Sequence, residues 1–75
     1  MSNQKTYTGK ELISILKGMG FDVIRIKGSH HYLQHEDGRS TVVPIHSNED
    51  IGVGLLQKIL KDLEITKEDI QKIIP

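Results

Sequence analysis

The residues of this sequence with the clearest capacity for chemistry are its four histidines, of which His30, His31 and His35 lie within six positions and His46 follows. A histidine side chain titrates near neutral pH, so one imidazole can accept a proton in one step and donate it in another. Successive side chains of a strand point to opposite faces. If this segment is a strand with Leu33 facing the core, His31 shares the core face and His30 points to the open face.

The open-face position makes His30 a candidate for general acid–base catalysis on RNA. Cleavage needs a group that takes the proton of a ribose 2′-hydroxyl and a group that protonates the leaving 5′-oxygen, while cations stabilise charge on the phosphate. Arg25, Lys27 and Arg39 lie on either side of the histidine segment and are predicted to supply those cations. The alternative for His30 is a solvated strand histidine with no catalytic role.

The other histidines and the Gly28-Ser29 pair each have a structural and a functional interpretation. His31 is predicted to be a partly buried imidazole satisfied by a backbone carbonyl, and His35 to pack beside a hairpin turn. His46 opens a loop, where it either contacts substrate or caps the loop. Gly28-Ser29 is either a tight turn between strands or a backbone that approaches a phosphate, with the Ser29 hydroxyl as a donor.

Composition limits the classes of site and of protein. Cysteine is absent, which excludes disulfides, a thiolate nucleophile and a Cys-ligated zinc ion. Because His30 and His31 should diverge, we expect neither a metal site nor a cofactor. Ten Lys and Arg residues balance ten Asp and Glu residues, which argues against a purely nucleic-acid-binding module, although residues 25–39 are locally cationic. The sequence has no pattern of a signal peptide or a membrane helix, so we expect a cytoplasmic protein without membrane contact.

Hydrophobic periodicity and turn residues predict the elements that must position these side chains. Thr8 and Glu11 form a capping-box pattern, which marks the start of a helix. Ile24 and Ile26 alternate with basic residues, which predicts a half-buried strand with the two isoleucines on its buried side. The predicted elements are a helix over 9–19, strands from residue 21, over 30–35 and over 40–45, a helix over 51–63 and a short closing helix from residue 66.

This order of elements predicts an α+β fold, a two-layer α-β-β-β-α sandwich in which helices cover one face of an antiparallel sheet. Double-stranded-RNA-binding domains have the same order, although order alone does not determine function. With 75 residues, the chain is expected to form one domain over residues 1–75, with residues 1–7 flexible or loosely attached. Ser47, Asn48 or Asp50 is expected to cap the second long helix.

Four segments follow one another along the chain. They are Gly28-Ser29-His30-His31, His35-Glu36-Asp37-Gly38-Arg39, Thr41-Val42-Val43-Pro44-Ile45-His46 and Gly54-Leu55-Leu56-Gln57-Lys58-Ile59-Leu60-Lys61. Each segment is common by itself. The ordered set is specific, and from the first helix to about Ile70 it resembles the HicA family of mRNA interferase toxins.

The resemblance implies a fold like that of double-stranded-RNA-binding domains and endoribonuclease action on mRNA. It also implies a HicB-type antitoxin that covers the active face, so that the toxin is a monomer alone and part of a hetero-oligomer with its antitoxin. The catalytic histidine of the family maps to His30, or to His31 where relatives carry it one place later. Such toxins are often basic, whereas this chain has a formal net charge of zero. A non-catalytic RNA-binding module and a protein-interaction domain of the same fold remain as alternatives.

Overall fold

The computed structural model describes residues 6–73, and its elements follow the predicted order. The α+β class with an α-β-β-β-α layout and a closing helix is confirmed. The elements are α1 Gly9–Gly18, β1 Phe21–Lys27, β2 His30–His35, β3 Ser40–Pro44, α2 Val53–Leu63 and α3 Lys67–Ile73.

The three strands form one antiparallel sheet in the order β1-β2-β3, in which short hairpin turns join successive strands. The β1–β2 turn has only two residues, because Lys27 pairs with His30. Gly28 has a positive φ of 60°, as the first position of a type II′ hairpin turn requires. In the β2–β3 turn Gly38 has a φ of 99°, which a side chain would disfavour. Both glycines therefore set the hairpins that bring the strands into register.

A bulge in β1 separates its two isoleucines, because it displaces Ile24 while Ile26 stays paired with His31. Val23 pairs with Leu33 and Arg25 pairs with Tyr32, so Ile24 is the extra residue. The prediction that Ile24 and Ile26 form the buried side of this strand is wrong, since they are 59% and 61% exposed. The regular alternation in the sequence cannot reveal the register shift, which places Val23 toward the core and Ile24 beside Arg25.

The core lies between the helices and one face of the sheet. Leu33 of β2 and Val43 of β3 have no exposed surface, and neither do Leu12 and Leu16 of α1. These side chains face one another because α1 presents one apolar stripe and the two strands present alternate residues. The opposite face of the sheet carries the alternate strand residues, among them Lys27, His30 and Tyr32, and is open to solvent.

The two ends of α1 match its sequence signals. The Thr8 hydroxyl accepts a hydrogen bond from the Glu11 amide at 3.1 Å, and the Glu11 carboxylate accepts one from the Thr8 amide at 2.9 Å. This confirms the predicted capping box. Gly9 lies against the backbone of β3, where an added Cβ would overlap the carbonyl oxygen of Pro44. The start of α1 is thus held directly against the end of β3.

The start of α2 differs from the prediction that Ser47, Asn48 or Asp50 caps it. Gly52 occupies the N-cap position and makes no side-chain capping bond. Asp50 instead forms a bridge with Thr8, because the chain before α2 is drawn against the segment that precedes α1. The three residues predicted as caps therefore lie in the loop between β3 and α2 and do not cap the helix.

The residues just before α1 are packed against the rest of the protein, whereas the sequence predicts that residues 1–7 are flexible or loosely attached. Tyr7 is only 6% exposed, and its carbonyl accepts a hydrogen bond from the Ile51 amide at 2.7 Å. The Thr6 hydroxyl donates to a carboxylate oxygen of Asp50 at 2.7 Å. For residues 6 and 7 the expectation is therefore wrong, since the core takes up the Tyr7 ring. Residues 1–5 lie outside the described residues. None of the helices described between residues 6 and 73 has the length and apolarity needed to cross a membrane.

Candidate active site

His30 begins β2 and lies on the open face of the sheet. Its cross-strand partners are Lys27 on β1 and Pro44 on β3. Directly paired residues share a face, and this face is opposite to the one that buries Leu33. The His30 side chain is exposed, so a substrate laid across the open face can reach its imidazole.

The Gly28-Ser29 turn next to His30 is held by bonds to its backbone. The Ser29 carbonyl accepts a hydrogen bond from the Ile45 amide at 2.8 Å, which extends the β2–β3 pairing past the end of the strand. No atom lies within 4 Å of the Cβ position of Gly28. The turn is therefore fixed on its strand side and open on its outer side, where a phosphate can approach the backbone.

His31 has a different environment from its neighbour. It pairs with Ile26 and Val43 on the helix-facing side of the sheet and is half-buried. Its Nδ1 lies 3.0 Å from the Ser29 carbonyl oxygen. A carbonyl can only accept, so Nδ1 carries the hydrogen and donates it. This is the carbonyl-bonded imidazole that the sequence predicts for His31.

Two cations accompany His30 on the open face. Lys27 is exposed directly opposite it, and Arg25 places its guanidinium 5.9 Å from the centre of the Tyr32 ring. Within residues 6–73, neither Lys27 nor Arg25 forms a salt bridge with a carboxylate. Their charges are available to a bound phosphate.

Arg39 does not lie beside His30 and the two cations of the open face. Its Nε donates to Asp37 at 2.8 Å and its Nη1 donates to the Leu63 carbonyl at 2.8 Å, while the guanidinium lies 5.3 Å from the Phe21 ring centre. It lies beyond the far end of β2 from His30, about 17 Å along a six-residue strand. Its contacts attach the β2–β3 turn to the last turn of α2, where helix carbonyls lack partners.

His46 follows a residue that is hydrogen-bonded to the Gly28-Ser29 turn. The Ile45 amide is bonded to Ser29, and His46 is the next residue, exposed at the start of the loop. It lines a hollow of about 230 Å³ together with Pro44, Leu55 and the carboxylate residues Glu49 and Asp50. Among residues 6–73, His46 is the only exposed histidine besides His30. It lies two residues after Pro44, which is the partner of His30 on β3.

His35 packs at the β2–β3 turn and not at the site. Its ring meets the Phe21 ring edge-on with 5.1 Å between centres. Its Nδ1 lies 3.1 Å from both the amide nitrogen and a carboxylate oxygen of Asp37. The amide can only donate, so Nδ1 accepts from it in the neutral ring, whereas a protonated ring would donate to the carboxylate. The backbone amide of Arg39, followed by its guanidinium, holds the pKa of Asp37 below its ordinary value.

A groove of about 360 Å³ is lined by Tyr32 and other strand residues, including the core-facing Leu33 and Thr41, and by residues of α2. Its wall includes Ile24 of β1, Tyr32 and Gln34 of β2, and Val42 of β3, and Leu55, Lys58 and Asp62 of α2 close its far side. The sequence interpretation assigned Tyr32 no role. The signal was available, because Tyr32 is an aromatic residue two positions from His30 in a strand.

In the part of the chain that the structure describes, no group of three or more His, Cys, Asp or Glu residues has an arrangement that could hold a metal ion. Every buried side-chain nitrogen or oxygen in that part has a hydrogen-bond partner.

Comparison with known families gives one match. A family model described as the HicA toxin of bacterial toxin–antitoxin systems matches residues 9–65. The matched range begins with α1 and extends just past α2, so it includes the whole sheet, His30 and His46. No curated protein matches the chain.

Proposed function

The chain belongs to the HicA toxin family of bacterial toxin–antitoxin systems, and from that premise we propose that it is an endoribonuclease that cleaves mRNA with His30 as a proton-transfer group. The observation that carries the proposal is the exposed His30 on the open face, with Lys27 opposite and the fixed Gly28-Ser29 turn beside it. The family supports a toxin acting on RNA, and this arrangement supports the chemistry.

The proposed reaction uses the 2′-hydroxyl of the RNA as its nucleophile. The neutral imidazole of His30 accepts the 2′-hydroxyl proton while that oxygen attacks the adjacent phosphorus. The bond from phosphorus to the 5′-oxygen breaks, and the leaving oxygen takes a proton from the imidazolium of His46. The products are a 2′,3′-cyclic phosphate and a 5′-hydroxyl, and the reaction needs no metal ion.

The surrounding residues act on the charge and position of the phosphate. Lys27 and Arg25 stabilise the negative charge that builds up on the non-bridging oxygens. The Gly28 backbone allows close approach, since no side chain covers it, and the Ser29 hydroxyl is a further donor. Arg39 is left out of this role because its donors are bonded to Asp37 and Leu63.

The central test compares the two neighbouring histidines. We expect His30→Gln to lower the cleavage rate of a single-stranded RNA by at least about a hundredfold, as loss of a general acid–base group does. His31→Gln is the matched control, because a glutamine amide can still donate to the Ser29 carbonyl, and its rate should stay within a few fold of wild type. Thermal unfolding of both variants checks that the fold persists.

Four results of this and related experiments would contradict the proposal. Loss of cleavage in His31→Gln but not in His30→Gln would transfer the proton-transfer role to His31. Loss of cleavage in EDTA would contradict the metal-free reaction. Because His46 is the proposed acid, His46→Asn should lower the cleavage rate, and an unchanged rate would exclude it from that role. RNA binding without cleavage by the wild type would instead indicate a non-catalytic RNA-binding module.

We further propose that a HicB-type antitoxin neutralises the protein in the cytoplasm by covering the open face. The exposed Ile24 on that face offers apolar surface for such a partner. The toxin would be a monomer alone and part of a hetero-oligomer with the antitoxin. Co-expression with the product of an adjacent antitoxin-like gene should restore growth, and the antitoxin should protect the exposed open-face Lys27 amine from chemical acetylation. Unchanged acetylation of Lys27 in the complex would contradict this arrangement.

A further inference from the structure

The groove at Tyr32, two residues from His30 along β2, has features that the cleavage chemistry alone does not use. We propose that it is a binding subsite for a nucleobase next to the scissile phosphate, with Tyr32 as the stacking platform. The inference rests on the proposed ribonuclease function and adds to it a residue that contacts the base. It concerns single-stranded RNA, whose unstacked bases can turn toward a protein surface.

The spacing along β2 relates the groove to the proposed site of cleavage. Tyr32 follows His30 by two residues on the same face, which is about 7 Å along a strand. A distance of this size is comparable to the step between adjacent nucleotides in an extended single strand. A phosphate at His30 therefore leaves a neighbouring base within reach of the Tyr32 ring.

The composition of the groove wall suits the flat face of a base. Tyr32 is half-buried, so its ring is held in place, and the Arg25 guanidinium lies 5.9 Å from the ring centre. Exposed Ile24 and half-buried Val42 extend the apolar surface on either side along the sheet. Aromatic rings and arginine planes are the surfaces on which RNA-binding proteins stack unpaired bases.

Polar groups at one end of the groove suit the edge of a base. Gln34 and Ser40 are a cross-strand pair on the open face and both line the groove. The Gln34 amide has donors and acceptors, as base edges do. Lys58 and Asp62 stand on the α2 side, with Nζ and Oδ2 3.9 Å apart. An apolar wall with polar groups at one end fits a base better than it fits a purely apolar protein side chain.

Binding to uncleavable RNA tests the subsite apart from the chemistry. The probes are four 2′-O-methyl decanucleotides, one for each base, because a methylated 2′-oxygen cannot attack phosphorus. Wild type should bind at least one of them, and Tyr32→Leu should weaken that binding about tenfold or more, as loss of a stacked aromatic does. Tyr32→Phe keeps the ring and should bind like wild type.

Ile26→Ala is the control, since Ile26 is an exposed apolar residue that pairs with His31 on the other face of the sheet. It should change binding less than twofold. In cleavage assays Tyr32→Leu should raise KM with little change in kcat, and Gln34→Ala should change the order of preference among the four bases. Gln34→Ala also keeps the test valid if Tyr32→Leu fails to fold.

The outcomes separate the two proposals. If wild type cleaves RNA and both Tyr32→Leu and Gln34→Ala bind and cleave as wild type does, the subsite is overturned and the ribonuclease proposal remains. If wild type neither binds nor cleaves RNA, the function and the subsite are both overturned. If Tyr32→Leu weakens only binding of an antitoxin, the groove is a protein interface and the subsite is overturned.

Discussion

At the scale of single residues, neighbours along the chain have separate tasks because a strand sends them to opposite faces. His30 is exposed on the open face, while the Nδ1 hydrogen of His31 is committed to the Ser29 carbonyl. The arginines divide in a similar way. Arg25 lies over an aromatic ring on the open face, whereas Arg39 is bonded at a helix end.

The two arginines predict opposite results when each is changed to methionine, which keeps the length of the side chain but removes its charge. Arg39→Met should lower the free energy of unfolding by about 1 to 2 kcal/mol, because it removes the charged hydrogen bond to the part-buried Leu63 carbonyl. Arg25→Met should leave stability nearly unchanged and weaken RNA binding, with the slope of log affinity against log salt reduced by about one.

Urea unfolding and RNA titrations at several salt concentrations measure the two effects. Equal loss of RNA affinity in both variants, with Arg39→Met still folded, would mean that Arg39 contacts RNA after all. That outcome would favour the sequence-based prediction that Arg39 supplies a cation to the phosphate.

At the scale of elements, the open face is shaped by how the ends of strands and helices meet. The Ile45 amide holds the loop after β3 against the turn before β2. Gly9 allows α1 to begin directly on the backbone of that same β3 end. The turn before His30 and the loop that carries His46 are therefore supported from the helix side by α1.

Two glycine substitutions test this contact. Gly9→Ala should destabilise the protein by at least about 1 kcal/mol, because the new methyl group would overlap the Pro44 carbonyl and force the backbone to move. Gly54→Ala is the control, since Gly54 lies in α2 with no atom within 4 Å of its Cβ position. It should stabilise the protein by about 0.5 kcal/mol through the helical preference of alanine. A Gly9→Ala protein as stable as wild type would show that α1 does not need this close approach.

At the scale of the whole molecule, stability depends on carboxylates that receive hydrogen bonds in the folded state. The pKa of Asp37 is lowered, first by the Arg39 backbone amide. The pKa of Asp69 is lowered, first by the Thr66 backbone amide and then by the Thr66 side chain. Both groups bind protons less readily in the folded chain than in the unfolded chain.

Acid should therefore destabilise the protein in a defined direction. The stabilisation from a lowered carboxyl pKa is complete above the unfolded pKa and is lost as pH falls through the folded pKa. We expect the free energy of unfolding to be flat with respect to these groups above about pH 5 and to fall below about pH 4. Asp69→Asn should be less stable than wild type at neutral pH and should lose less on acidification. Chemical unfolding at a series of pH values measures this, and parallel curves for the two proteins would contradict it.

The sequence by itself determined the elements, the capping box of α1, the two hairpins and the opposite orientation of His30 and His31. These features follow from local periodicity and turn chemistry, which act over a few residues. Only the tertiary structure decided the register shift at Ile24 and the contact of Arg39 with Leu63, 24 positions away in sequence. The groove at Tyr32 also needed the packed fold, because strand pairing and the position of α2 bring its wall together from separate parts of the chain.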